Sequence, residues 1–163
     1  MTFVDTNVLL YAVSAAPEER VKAEIARAIL DRADLALSVQ VLQEFYVQAT
    51  RPGRRDPLTR SQATALIESW LRFEVQDITV ALMRAAVETA ARHRTSYWDA
   101  AIIEAARMTG CRSVLSEDLA DGSDFGGVRV RNPFGPATVG APANWASTQP
   151  ANPGSGGASI TTG

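Results

Sequence analysis

Four acidic residues occupy positions from which an open α/β sheet would present them together. Asp5 ends the short apolar run Phe3-Val4 and precedes the apolar stretch Val8-Leu9-Leu10-Tyr11-Ala12-Val13, and Asp118 follows Val114-Leu115 in a similar way. A buried parallel strand that ends in an acid delivers that carboxylate to the C-terminal edge of the sheet, where such folds build their sites. Glu44 lies inside the apolar helical stretch Val41-Leu42-Gln43-Glu44-Phe45, and Asp99 lies in Tyr97-Trp98-Asp99-Ala100 at the start of another. Plainer uses exist for two of them. Asp, Thr and Asn favour N-caps, so Asp5 can cap the helix it precedes, and Ser96 with Asp99 has the spacing of a capping box.

If the four converge, electrostatics limits what they can do. Like charges about 4 Å apart repel by roughly 4 kcal/mol at an effective dielectric near 20, so the cluster persists only if protonated or bridged by a cation. An all-oxygen, carboxylate-rich set without His or Cys selects a hard ion, Mg²⁺ or Mn²⁺. Such an ion lowers the pKa of a bound water, which is hydrolytic chemistry without a side-chain nucleophile. Thr6 and Asn7 are secondary candidates, able to hydrogen-bond a carboxylate or a scissile phosphate, with a local cap as the alternative. Tyr97 and Trp98 could stack on a base, although core packing is the commoner fate of aromatics at a helix start. His93, the only histidine, stands outside the pattern as an exposed or helix-capping residue, and the lone Cys111 reads as a small buried hydrophobe.

The elements that must position these residues follow from periodicity and caps. Short apolar segments predict strands from residue 2 into Asp5 and at 35–37, 73–75, 113–115 and 128–130. Helical spacing predicts helices over 8–13, 17–31, 39–50, 59–71, 79–94 and 96–110. In the second of these Val21, Ile25, Ala28 and Ile29 mark the buried face; in the third, Val41, Leu42, Phe45, Tyr46 and Ala49. Thr59 and Gln62 make a capping box, followed by Ala63, Leu66, Ile67, Trp70 and Leu71 at helical spacing. The helix from Thr79 carries Val80, Leu82, Met83, Ala86, Val87 and Ala90. Two prolines and a glycine make 51–57 a loop. Strands alternating with helices imply βαβ units on a parallel sheet, which brings Asp5 and Asp118 to one edge and the helices bearing Glu44 and Asp99 toward it.

Composition bounds the rest. At 163 residues, 46% apolar and 21% charged, the chain is long enough for one globular domain with a proper core. There is no 18-residue apolar run and no basic leader before the first strand, so the expectation is a cytoplasmic protein. The net charge of −2 argues against bulk attraction to nucleic acid. Fifteen of the 16 basic residues are arginines, among them Arg51, Arg54, Arg55, Arg60, Arg92 and Arg94; base composition of the genome explains that bias, while phosphate contact remains open to the guanidinium fork. The last 28 residues, 136–163, carry no charged side chain and are rich in Gly, Ala, Pro, Ser and Thr. The expected division is therefore a folded domain over 1–135 and a flexible tail over 136–163.

Phe3-Val4-Asp5-Thr6-Asn7, Glu44 in its helix, Tyr97-Trp98-Asp99-Ala100 and Leu115-Ser116-Glu117-Asp118-Leu119 resemble, in order and spacing, the acidic motifs of PIN-domain ribonucleases, especially the toxins of VapBC-type toxin–antitoxin pairs. The resemblance spans about residues 2–134 and implies a three-layer α/β/α fold around a parallel sheet of four to five short strands. It further implies metal-dependent cleavage of RNA by Asp5, Glu44, Asp99 and Asp118, a homodimer, and a cognate antitoxin whose C-terminal segment occupies the acidic groove. The last motif offers Glu117, Asp118 and Asp121; Asp118 holds the family's position two residues after Ser116, and Asp121 could add a water-mediated contact. Two other readings stand beside this one. A phospho-aspartate domain would need a lysine late in the chain, whereas the only lysine is Lys22. A catalytically silent RNA- or protein-binding module would keep the fold and bind metal without turnover.

Overall fold

The computed structural model describes residues 1–135; the tail expected over 136–163 lies outside the described residues. Five strands form one sheet: β1 (Thr2–Val4), β2 (Leu35–Ser38), β3 (Glu74–Gln76), β4 (Ser113–Leu115) and β5 (Arg129–Arg131). Their order is β3-β2-β1-β4-β5 and every pairing is parallel, with Phe3 beside Ala36 on one side and Val114 on the other. Parallel strands covered on both faces have no solvent side, and accordingly Phe3, Val4, Leu35, Ala36, Leu37 and Val114 are all buried. The chain fills one half of the sheet with β1, β2 and β3, then crosses to the other side of β1 for β4 and β5. That reversal makes the crevice between the ends of β1 and β4 the place where an open sheet admits a ligand.

Six helices cover the sheet among the described residues: α1 (Thr6–Ala12), α2 (Arg20–Leu30), α3 (Val39–Ala49), α4 (Arg60–Trp70), α5 (Val80–His93) and α6 (Tyr97–Met108). α1 packs on α2 and α3, α3 on α4, and α5 on α6, giving the three-layer α/β/α arrangement. The caps are those the sequence prescribes. Ser38, Thr59, Thr79 and Ser96 each accept a hydrogen bond from a backbone amide of the first turn, and Thr59 with Gln62 completes the capping box. Pro17–Glu19 forms a 3₁₀ turn before α2 instead of its first turn.

Several helix faces differ from those expected. On α2 the buried residues are Ala23, Ala26, Ile29 and Leu30, whereas Val21 and Ala28 are exposed. Small alanines, and not the bulkier Val21, occupy the buried face of α2, which packs on α1. On α5 the inward face is Leu82, Ala86 and Thr89, leaving Val80, Met83 and Val87 outside. Thr89 Oγ1 donates to Glu104 Oε1 at 2.7 Å, and Arg107 Nε reaches the same carboxylate at 3.1 Å, so a buried acid on α6 recruits a polar partner from α5. Tyr46 and Leu71 are likewise exposed, and Cys111 is buried as expected. His93 is exposed at the end of α5, its ring 5.0 Å from that of Phe125. No helix among the described residues is long and apolar enough to cross a membrane.

Candidate active site

Asp5 sits in the turn between β1 and α1, held from two directions. Its backbone amide continues the sheet ladder by donating to Leu115 O at 3.0 Å, and its carboxylate caps α1 by accepting from Thr6 N at 2.7 Å. The capping role and a site role thus coexist: Oδ1 serves the helix, while Oδ2 accepts from Ser116 Oγ at 2.6 Å and Asn7 Nδ2 at 3.3 Å. Ser116 is the hub on the opposite strand. Its hydroxyl, wholly buried just beyond β4, also accepts from Asn7 Nδ2 and from the amides of Asp118 and Leu119, each at 3.2 Å. These bonds fold the chain after β4 into a tight turn that points Asp118 back toward Asp5. The Asn7 amide nitrogen spans the gap, lying 3.3 Å from Asp118 Oδ2 as well.

The other two acids arrive from helices. Thr6 Oγ1 donates to Glu44 Oε2 at 3.0 Å, and Gln40, one turn earlier on α3, donates to Glu44 Oε1 at 2.9 Å. Gln40 Nε2 also reaches Trp98 O at 3.5 Å, which ties α3 to the start of α6. Asp99 receives Thr95 Oγ1 at 3.3 Å, and its amide donates to Ser96 Oγ at 3.1 Å. The reciprocal bond of a capping box, present in α4, is absent at this helix start, which leaves the Asp99 carboxylate available.

All four acids line a single pocket of about 120 Å³, together with Thr6 and Asn7. Leu10 and Ile102 add apolar wall, Trp98 an aromatic edge, and Gln40 and Gln48 flank Glu44 at four-residue spacing along α3. Asp121 lies elsewhere, exposed, with Oδ1 accepting from Asn132 N at 2.8 Å. Glu117 turns away too, accepting from Lys22 Nζ at 2.5 Å and from the Tyr11 hydroxyl. Burial works against its charge, but those two hydrogen bonds outweigh it and hold the carboxyl below its ordinary range. The only lysine is thereby engaged outside the pocket, which leaves nothing there to bind a phosphoryl group as a phospho-aspartate domain requires.

Burial pushes the Asp5 carboxyl from its ordinary 3.8 up to about 6; the bonds from Ser116 and Thr6 pull the other way, and the nearby Asp118 and Glu44 charges add to the rise. A carboxylate raised in this manner is short of a positive neighbour. Asn7 Oδ1, buried and without a hydrogen-bond partner among the described residues, is a further acceptor. The oxygen-only donor set, the raised Asp5 and this orphaned oxygen fit a hard cation in their chemistry. As the side chains stand, no three of the His, Cys, Asp or Glu groups among the described residues are close enough to hold an ion, so binding would have to draw them together.

Gln40 and Thr95 escape a reading aimed at acids, and Ser116 enters it only as the marker of the position of Asp118. The one local signal for Gln40 is the Gln40, Glu44, Gln48 spacing, which places three polar groups on one face of the helix.

No curated protein matches the chain. Its fold is similar to that of VapC20 from Mycobacterium tuberculosis, a sarcin-ricin loop cleaving toxin, with a TM-score of 0.58 and 24% identity over 81% of this chain and 100% of that one. It is similar to a toxin–antitoxin complex from Klebsiella pneumoniae, with a TM-score of 0.59 and 18% identity over 82% and 98% of the two chains. The DNA-bound VapBC of Salmonella typhimurium follows at 0.55 and 22%, covering 80% and 96%. Identities this low speak for the fold. The family is shown by the sequence itself, whose residues 2–120 match the model of the PIN domain. With a parallel sheet that reverses at β1, and an acid at each strand end beside the reversal, the chain belongs to the PIN-domain family.

Proposed function

We propose that this PIN-domain chain is an endoribonuclease that hydrolyses RNA phosphodiester bonds with the help of Mg²⁺ or Mn²⁺, and that it serves as the toxin of a toxin–antitoxin pair. One observation carries the reading: Asp5, Glu44, Asp99 and Asp118, drawn from four separate elements, line one pocket at the reversal point of the sheet. When bound there, a divalent ion supplies an activated water and neutralises charge on the phosphoryl oxygens. The chain's own residues do the positioning. Asp5 and Asp118 are the inner pair, oriented by Ser116 Oγ and Asn7 Nδ2, while Thr6 fixes Glu44 and Thr95 steadies Asp99. With the charges on the carboxylates neutralised, a phosphate can approach a pocket that would otherwise repel it.

Among the neighbours of like fold, one is a sarcin-ricin loop cleaving toxin, one a toxin–antitoxin complex and one a DNA-bound VapBC. On that likeness rest the further parts of the proposal: a cytoplasmic homodimer, restrained by a cognate antitoxin that covers the acidic pocket. The rival reading is a silent module that binds RNA or protein without turnover, and the presence of all four acids in one pocket argues against it.

Cleavage of structured and single-stranded RNAs by the purified chain, with Mg²⁺ or Mn²⁺, tests the proposal. Discrete products that vanish with EDTA and in Asp5→Asn are expected. Metal binding without products, in folded protein free of antitoxin, would replace the nuclease by the silent module.

A further inference from the structure

Trp98 is the most exposed large apolar side chain among the described residues, 64% accessible, and it stands at the acidic pocket. A tryptophan so placed costs solvation without contributing to the core, and it needs another use. Its backbone is held firmly. The carbonyl accepts from Gln40 Nε2, the residue lies in the first turn of α6, and the half-buried Tyr97 packs edge-on against the indole with ring centroids 5.2 Å apart. The indole itself makes no hydrogen bond among the described residues. It is therefore a flat apolar surface with a fixed root and a free face.

The neighbouring side chain is Asp99. Successive residues of a helix point about 100° apart, so one element presents a carboxylate to the pocket and an aromatic plane beside it. Leu10 and Ile102 extend the apolar wall. A ligand matching this pair carries a charged group for the acid-and-cation side and a π-face within the same small unit, which describes one nucleotide.

We propose that the Trp98 indole is the base-stacking platform of the site, taking the base of a nucleotide next to the phosphate addressed by the carboxylates. A base within a duplex has both faces covered by its neighbours and cannot stack on a protein ring; a base in a loop or single strand can. The preference is for unpaired RNA and tolerant of base identity, because every base has a π-face. This inference rests on the ribonuclease reading, and its test separates the two.

The test is a cycle of variant and substrate. Wild-type protein, Trp98→Ala and Trp98→Phe are assayed with Mg²⁺ or Mn²⁺ on one cleavable RNA, single-stranded or annealed to its complement, and on versions carrying an abasic nucleotide at each of the positions flanking the cut. Trp98→Ala should lose roughly 5- to 150-fold in kcat/KM on the single strand, chiefly through KM. Trp98→Phe, which keeps a ring, should recover most of it. One abasic position should lower wild-type cleavage to the Trp98→Ala level and leave Trp98→Ala unaffected. The duplex should be cut poorly by all three proteins. Equal cleavage by wild type and Trp98→Ala, or losses from variant and abasic site that multiply independently, would overturn the platform while leaving the nuclease intact. Absence of cleavage by the wild type on every RNA would overturn both.

Discussion

Asp5→Asn separates stability from activity at this site, and the separation depends on pH. In the metal-free protein the Asp5 carboxyl has its pKa raised from 3.8 to about 6, chiefly by burial. The folded state therefore holds the proton more tightly than the unfolded chain, and the sign follows. Stability from this group is complete below 3.8 and is lost as pH rises through about 6. A shift of about two units is worth roughly 3 kcal/mol across that window. Asparagine never ionises and escapes the loss. It caps a helix about as well as aspartate, so the Thr6 amide keeps its acceptor. The Asn7 amide can turn its unpartnered Oδ1 toward the new NH₂ group. In EDTA, then, the variant should match the wild type near pH 4 and exceed it by roughly 3 kcal/mol at pH 8, equivalent to some 6–12 °C in Tm. Urea unfolding from pH 4 to 8, read as the difference between the two proteins, isolates this one group. Mg²⁺ should close that gap at pH 8, since it has a full set of ligands only in the wild type; at 100 times its Kd it would add about 2.7 kcal/mol, bringing the two nearly level, and at 1,000 times about 4.1 kcal/mol, reversing the order. A variant that is less stable than the wild type at pH 8 in EDTA, or a difference that does not grow with pH, would refute the picture of Asp5 as a buried charge awaiting a cation.

Other expectations follow from the same contacts. Ser116→Ala removes the donor to Asp5 and the acceptor shared by Asn7 Nδ2 and the amides of Asp118 and Leu119; it should cost about 2 kcal/mol of unfolding free energy by urea titration and lower cleavage with it. Glu117→Gln breaks the 2.5 Å pair with Lys22, but both side chains are partly exposed, at 26% and 34%. It should cost under about 1 kcal/mol and leave RNA cleavage nearly unchanged, whereas Asp118→Asn, one residue along, should abolish cleavage; similar activities in the two variants would contradict the placement of Asp118 in the pocket. Phe45→Ala empties a wholly buried ring that meets Trp70 edge-on at 4.7 Å, and thermal unfolding should register a loss of roughly 3–5 kcal/mol.

Much of this molecule is local in origin, and the sequence by itself determined those parts. Hydroxyl caps at Ser38, Thr59, Thr79 and Ser96 start four helices because each satisfies amides within three residues of itself. Apolar runs too short for helices became buried parallel strands, and an acid following a strand can only emerge at the strand's C-terminal end, so Asp5 and Asp118 were legible as a pair. Tertiary structure decided what depends on partners distant in the chain. Which face of α2 is inward was decided by the fold, which buries Ala23 and Ala26 and leaves the bulkier Val21 exposed. Glu117 and Asp118 are chemically alike and adjacent; only the folded chain, with Lys22 and Tyr11 on one side and Asn7 on the other, sends them in opposite directions. Ser116 became the hub because β4 lies beside β1, more than a hundred residues away in sequence. The exposure of Trp98 has the same cause. Its helix start is pinned by Gln40 from α3, and a ring that periodicity would assign to the core is left facing the solvent at the rim of the acids.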